Sequence, residues 1–424
     1  MARSLDIVFI CHKLPYPPHK GFQVKPFHMM KGLARHGHRV HLVCPATAST
    51  ADIEVARVEM QKICATVTIV PLSPWESRIN AGLALINPFG ASLSVKYFAT
   101  HALSKAVASV VAAHPIAGFM LYSSTTAQYV PAQFRKRCLI DMGDVDSAKW
   151  SELSTKTGFP MSWVYRVEGK RLYKYEHWVV ENFGLTNLAT PAECELLKEL
   201  SPAAKKNQLF STPNGTDTTK FTPGDFATLD KPHIPEGEAR FFAGDCVPIV
   251  FTGAMDYDPN VEAVAFFTKD VMPLLRARIP NVRFLIVGGH PKPEVKALDN
   301  GTDVLVTGYV KDAPPYMRYA RVVVVPLRLA RGIQNKAIEA MACGSPLVCT
   351  SLAAKGVAGL HNVNMLVGDS AQEIADHVIA IVEQPALAAR LVRDARETVL
   401  KQYEWTPIID ELVTRLEGLI EMSA

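Results

Sequence analysis

Short apolar runs without polar alternation recur along this chain, each followed by a stretch of helical periodicity. That alternation restricts the fold more than any other feature. Residues 6–11, 39–44, 67–72, 117–123, 138–141 and 185–190 read as strands rich in Val, Ile and Leu, with helices at 24–35, 51–64 and 94–113. Strands apolar on both faces belong in parallel sheets covered by helices on both sides. The pattern stops between residues 211 and 247, where proline, glycine and acidic residues accumulate. It restarts with strands at 248–253, 282–288, 304–306, 322–326 and 346–350 and helices at 261–278 and 334–342. Further helices run from 371 to 401, and an amphipathic helix at 406–422 ends the chain. The predicted architecture is α/β, two doubly wound Rossmann-like domains, 1–210 and 211–424, with the last helix free to pack back on the first.

Composition narrows the class. With 48% hydrophobic and 20% charged residues the 424-residue chain has apolar material for two full cores, which excludes disorder, collagen and coiled coil. Its 8 cysteines show no C-x-x-C pair and no zinc spacing, and several sit inside strand-like runs, which suits a reducing cytoplasm. The apolar run 7–11 is too short for a signal peptide. The stretch 106–122, broken by His114 and Pro115, falls short of the roughly 20 residues a membrane span needs. A cytoplasmic protein, peripheral to the inner membrane face at most, is expected. Net charge is +4, but residues 1–184 carry +9 and the remainder −5. The basic half fits an anionic membrane surface or a phosphorylated substrate, or is dispersed solvated charge; nucleic acid is not expected as a partner. Dinucleotide, P-loop, hydrolase-elbow and zincin motifs are missing.

The most informative segment is 322–350, VVVVPLRLARGIQNKAIEAMACGSPLVCT. A buried strand ends at Pro326, and a basic loop carrying Arg328, Arg331 and Gly332 leads into a helix near Gln334. Free N–H groups and the helix dipole there attract phosphate, and Arg328, Arg331 and Lys336 add positive charge. Glu339, on the same helix, can accept two hydrogen bonds from a ribose diol. The competing reading is a surface helix with solvated charges.

Here the residues resemble a family. Glu339-Ala340-Met341-Ala342-Cys343-Gly344-Ser345-Pro346-Leu347-Val348 is similar to the second half of the donor-binding signature of family 4 glycosyltransferases of the GT-B fold. Pro213-Asn214-Gly215-Thr216-Asp217, Phe251-Thr252-Gly253, Val287-Gly288-Gly289 and Gly308-Tyr309-Val310 match later landmarks in order, and Gly21 resembles the N-terminal glycine loop. Segments 251–260, 326–336 and 144–150 look like the sugar transferases of exosortase/PEP-CTERM exopolysaccharide loci. Arg331 stands where the signature has its first Glu. Met255, Asp256 and Asp258 stand where it has the phosphate-pairing Arg and Lys, and 121–124 lacks its N-domain His.

The resemblance implies a GT-B fold whose domains face a cleft, and transfer of a sugar from a nucleotide sugar, usually UDP-linked, with retention and no metal or other cofactor. Gly21, Gly253, Arg331, Gly332, Gln334 and Lys336 would line the donor, with Arg328 beside them. Glu339 would hold the ribose, and Tyr309-Val310 the base. The acceptor would be a polyprenyl-diphosphate-linked glycan. For acid/base work Asp141, Asp144 and Asp146 offer three carboxylates whose repulsion raises one pKa. They also read as the cap and first-turn acids of a helix. His12 and Lys13, after the first strand, are a second pair, or a polar loop. A degenerate GT-B scaffold subunit and a nucleotide-sugar epimerase are the alternatives.

Overall fold

The computed structural model describes residues 4–18, 21–87, 90–202, 208–224, 234–329 and 332–423. Its contacts divide the chain into two compact units, Met1–Pro213 with Thr406–Ala424, and Asn214–Trp405.

The first unit is built on seven parallel strands: β1 (Asp6–Cys11), β2 (Arg39–Ala46), β3 (Thr66–Pro71), β4 (Ile116–Tyr122), β5 (Cys138–Gly143), β6 (Leu185–Leu188) and β7 (Gln208–Ser211). They lie in the order β3-β2-β1-β4-β5-β6-β7. All six residues of β1 are buried, as a central strand covered on both faces requires. The helix Gly21–Arg35 returns the chain from β1 to β2, and its Gly32 lets Ile409 of the helix Trp405–Met422 approach. A Cβ at Gly32 would lie 2.1 Å from the Ile409 side chain, so that close approach depends on the missing methyl group. Ile409, Leu412, Val413 and Leu416 are buried, which holds the last helix to the first unit.

The second unit has six strands: β8 (Val247–Thr252), β9 (Val282–Val287), β10 (Val304–Gly308), β11 (Val322–Val325), β12 (Leu347–Cys349) and β13 (Leu366–Val367). Their order is β10-β9-β8-β11-β12-β13, again parallel throughout. The helix expected over 261–278 comes as Asp258–Phe266, a π turn Phe267–Val271 and Met272–Arg278. Pro273 has no N–H to donate, and the wider π turn just before it takes up the resulting gap in the ladder. Ser370 and Glu373 form a capping box at the start of the helix Ala371–Glu383.

Each sheet reverses its strand order once, between β1 and β4 in the first unit and between β8 and β11 in the second. In open α/β sheets, ligands bind at that reversal, beyond the carboxyl ends of the strands. Among the helices outside the sequence reading, Pro74–Ile86, Met161–Asn182 and Pro191–Leu200 belong to the first unit. No helix among the described residues is long and apolar enough to cross a membrane.

Candidate functional site

At the reversal of the second sheet, β8 ends at Thr252 and Gly253 follows. Four valines make up β11, all fully buried, and the chain then passes through Pro326 and Leu327 to the exposed Arg328. Arg331 lies outside the described residues. Gly332 takes φ +64°, the left-handed conformation glycine adopts without strain, and the helix Asn335–Ala342 begins three residues on. Among the described residues that helix has no side-chain cap at its start and no acid in its first turn, so its positive dipole end is open to an anion. Its five buried residues, Ala337, Ile338, Ala340, Met341 and Ala342, fix which face turns inward.

Lys336 occupies the first turn. Its ammonium sits 4.5 Å from the ring centre of Phe251 and donates a hydrogen bond to Asn260 Oδ1. The Asn260 amide in turn donates to the Ala254 carbonyl at 2.9 Å. Glycine at 253 makes this possible, since a Cβ there would stand 2.6 Å from Asn260 Nδ2 and 3.2 Å from Lys336 Nζ. Gly288, at φ +156°, lets β9 finish against the same turn, where a Cβ would come 1.7 Å from the Gly253 carbonyl oxygen. Burial pushes Lys336 down to about 7, opposed by the negative charge of Glu339 one turn on. Burial likewise lifts Glu339 to about 6 against the pull of Lys220 and Lys336. A lysine and a carboxylate, both poised near neutrality, stand beside an uncapped helix end.

The other donor residues are placed differently. Arg328 is drawn to the helix Asp258–Phe266, ion-paired with Glu262 and stacked 4.4 Å over Phe266. The Gln334 side chain turns back toward the Gly332 carbonyl at 3.5 Å. Tyr309 is 78% exposed, lying against Gly289, and Val310 packs partly buried on the core. Gly21 lies in the first unit, as the first residue of the helix Gly21–Arg35. Asn260, Phe251 and Lys220 carry no role in the sequence reading. The only sequence signal for Asn260 was its fixed distance from Gly253 within the 251–260 segment.

In the first unit the three aspartates separate. Asp141 is fully buried, 2.7 Å from the equally buried ammonium of Lys25, and accepts hydrogen bonds from Asn187 Nδ2 at 2.7 Å and the Gly143 amide at 3.0 Å. Lys25 also donates to the Thr212 carbonyl at 3.1 Å. Through that network the fully buried Asp141 carboxylate ties β5 to its neighbours. The helix Asp146–Lys156 carries Asp146 as its first-turn acid, as expected, and the side chain of its N-cap residue, Val145, makes no capping hydrogen bond. Carboxylates from two other helices do that work: Glu193 accepts from the Val145 amide at 2.7 Å and Glu176 from the Ser147 amide at 3.2 Å and from Ser147 Oγ. Burial raises Asp146 to about 6, with Lys149 opposing and Asp144 adding to the rise.

His12 follows β1 at the reversal of the first sheet, stacked 5.8 Å from Tyr122 at the end of β4 and edge-on to Phe98 at 5.4 Å. Its Nδ1 is buried with no hydrogen-bond partner among the described residues. Burial, with the charge of Lys13, pushes it down to about 4, so the ring is neutral at pH 7. His12, Lys13, Tyr16, Phe22, Tyr97 and Phe98 line part of a cavity of about 720 Å³. Its size and aromatic lining suit a small organic ligand.

Comparison with known proteins fits this geometry. A family model described as Glycosyl transferases group 1 matches residues 247–384, the segment that holds Gly253, Lys336 and Glu339. The second unit carries a glycosyltransferase domain. The whole chain is also similar in fold to solved structures. Sucrose-phosphate synthase from Thermosynechococcus elongatus shares 17% identity at a TM-score of 0.67, over 99% of this chain and 100% of that one. HepE from Anabaena, in complex with UDP, shares 13% at 0.67, over 98% and 100%. WaaG, a glycosyltransferase involved in lipopolysaccharide biosynthesis, shares 14% at 0.63, over 97% and 100%. No curated protein matches the sequence. The glycosyltransferase domain thus sits on one of two parallel Rossmann-like sheets, which the strand pattern predicts, and their match to these structures is the GT-B fold that the resemblance implies.

Proposed function

We propose that this chain transfers a sugar from a UDP-linked donor to a growing, lipid-linked glycan in exopolysaccharide assembly, with retention at the anomeric carbon and without a bound metal. Lys336 carries the reading: an ammonium held between Phe251 and Asn260, in the first turn of an uncapped helix, where the second sheet reverses. As the sugar leaves, negative charge grows on the UDP oxygens, and fixed N–H groups and a lysine at that point stabilise it without a metal. Glu339, ionised at neutral pH, accepts from the ribose diol, and the exposed ring of Tyr309 offers a face to the base. Arg331, next to Gly332 in sequence, adds charge to the diphosphate. Of the two Asp-x-Asp triplets, 256–258 has its Asp258 ion-paired with Lys292, while 144–146 belongs to the first unit.

The aromatic cavity beside His12 supports an acceptor site in the first unit, since aromatic faces pack against the apolar faces of sugar rings. Asp146, raised to about 6, is the aspartate whose proton moves near working pH and takes the acid/base role. HepE was solved with UDP and with UDP-glucose. Together with segments 251–260, 326–336 and 144–150, this supports a UDP donor and a place among exosortase/PEP-CTERM-associated transferases.

Thermal midpoints measured against a panel of nucleotide sugars test the reading. UDP and one UDP-sugar raise the midpoint by mass action, and that UDP-sugar releases UDP when an acceptor extract is added. A panel without any response removes the donor site. Stabilisation by UDP with no turnover on any donor shows a binding-competent scaffold instead.

A further inference from the structure

The helix Pro74–Ile86 is turned inside out. It buries Ser77 and Ala84, while Trp75, Ile79, Leu83 and Ile86 are 73%, 56%, 58% and 76% exposed. At 3.6 residues per turn these four side chains fall within an arc of about 80°. Glu76 and the exposed Arg78 border that arc. A soluble domain gains by turning such a stripe inward, and here the inward face is given to small and polar residues.

Positive charge gathers at one end of the stripe. Arg171, on the helix Met161–Asn182, donates to the Ala84 carbonyl at 2.6 Å and the Asn87 carbonyl at 2.5 Å, clamping the last turn of Pro74–Ile86 in place. Directly beyond lies a cavity of about 380 Å³ lined by Ser92, Arg171, Lys174, Tyr175 and Trp178. Lys170 and Lys174 are exposed on the same helix. An apolar ridge with an indole, next to a basic and aromatic hollow of headgroup size, matches the layered chemistry of one surface. That surface is a bilayer interface with anionic phosphate headgroups over acyl chains.

We propose that the Pro74–Ile86 helix seats the first unit on an anionic lipid bilayer. Trp75, Ile79, Leu83 and Ile86 enter the headgroup–acyl boundary, and Arg171 and Lys174 engage lipid phosphates. The inference rests on the lipid-linked acceptor reading above for its purpose, but its geometry lies wholly within the first unit. A second copy of the chain covering the stripe would bury the same apolar face without needing the lysines, and it is separated by experiment.

The protein is floated with vesicles of phosphatidylglycerol and phosphatidylcholine, and with phosphatidylcholine alone, at low and high salt. The expected result is partition onto the anionic vesicles with a blue shift of tryptophan emission, reduced by salt. Ile79→Ser, Leu83→Ser and Ile86→Ser combined should lower the partition coefficient at least tenfold, and Lys170→Gln with Lys174→Gln, which leaves the Arg171 clamp in place, should weaken the preference for phosphatidylglycerol. All variants should bind UDP as the parent does, because Lys336 and Glu339 lie in the other unit. Failure of the parent protein to bind anionic vesicles at low salt overturns the proposal. So does a parent dimer that the triple serine variant converts to monomer. Vesicle binding with no affinity for UDP would sink the glycosyltransferase reading and leave the membrane helix standing.

Discussion

At the scale of single residues, the proposed donor site implies that Lys336 and Glu339 set opposite limits on donor binding. Glu339 loses its charge as pH falls through about 6, and Lys336 loses its charge as pH rises through about 7. UDP affinity should therefore be highest between those values and decline on both sides, by no more than tenfold per pH unit on each limb, since one proton governs each. Titration calorimetry across pH 5–9 reads this directly. Lys336→Ala and Glu339→Ala should each weaken UDP by about 1–3 kcal/mol at pH 7, the cost of a lost charge-assisted hydrogen bond. Lys336→Arg, which stays protonated, should flatten the alkaline limb even where its bulk lowers affinity. Unchanged UDP affinity in both alanine variants would remove these residues from the donor site.

At the scale of elements, the helix Asp146–Lys156 depends on carboxylates that reach it from elsewhere. Glu176 is lifted by burial to about 8, against two hydrogen bonds from Ser147. Its folded pKa lies above its unfolded one, so its stabilising share is complete below about pH 4.3 and is lost as pH rises through 8. Glu176→Gln should accordingly raise the unfolding midpoint at pH 9 and leave it nearly unchanged at pH 5, as scanning calorimetry would show. An equal shift at both pH values would mean that packing, and not a buried charge, governs the site. The Lys25–Asp141 pair behaves oppositely, because removing either partner strands a buried charge and should be strongly destabilising.

At the scale of the whole molecule, each unit reverses its strand order once, and each reversal has its own chemistry: an aromatic cavity with a neutral histidine in the first, an ammonium and a helix end in the second. In the proposed donor site, charge for the diphosphate would come from the protein itself. Turnover should persist after exhaustive treatment with EDTA, measured by UDP release. Complete loss on chelation, restored by Mn²⁺ or Mg²⁺, would overturn the metal-free mechanism and direct attention to Asp256 and Asp258.

Strand positions and their parallel pairing were legible in the sequence, because a strand buried on both faces has to be an unbroken apolar run wherever it lies. The short strands β7 and β13 escaped because neither offers such a run: β7 sets two apolar residues between Gln208 and Ser211, and β13 is two residues long. The glycine after β8 and the basic helix after β11 were also legible, being local in the chain. Only the tertiary structure decided which partners those residues take. Lys336 meets Asn260, 76 positions away, and Glu193 caps a helix from 48 positions away, distances over which no periodicity carries information. In the sequence Asp141 is one of three similar acids and Arg328 one of several cations, while the structure buries Asp141 against Lys25 and pairs Arg328 with Glu262 and Phe266. The helix Pro74–Ile86 makes the same point for a whole face. Spacing along the chain fixes which side chains share a face, but only the surrounding packing determines whether that face turns toward the core or toward solvent.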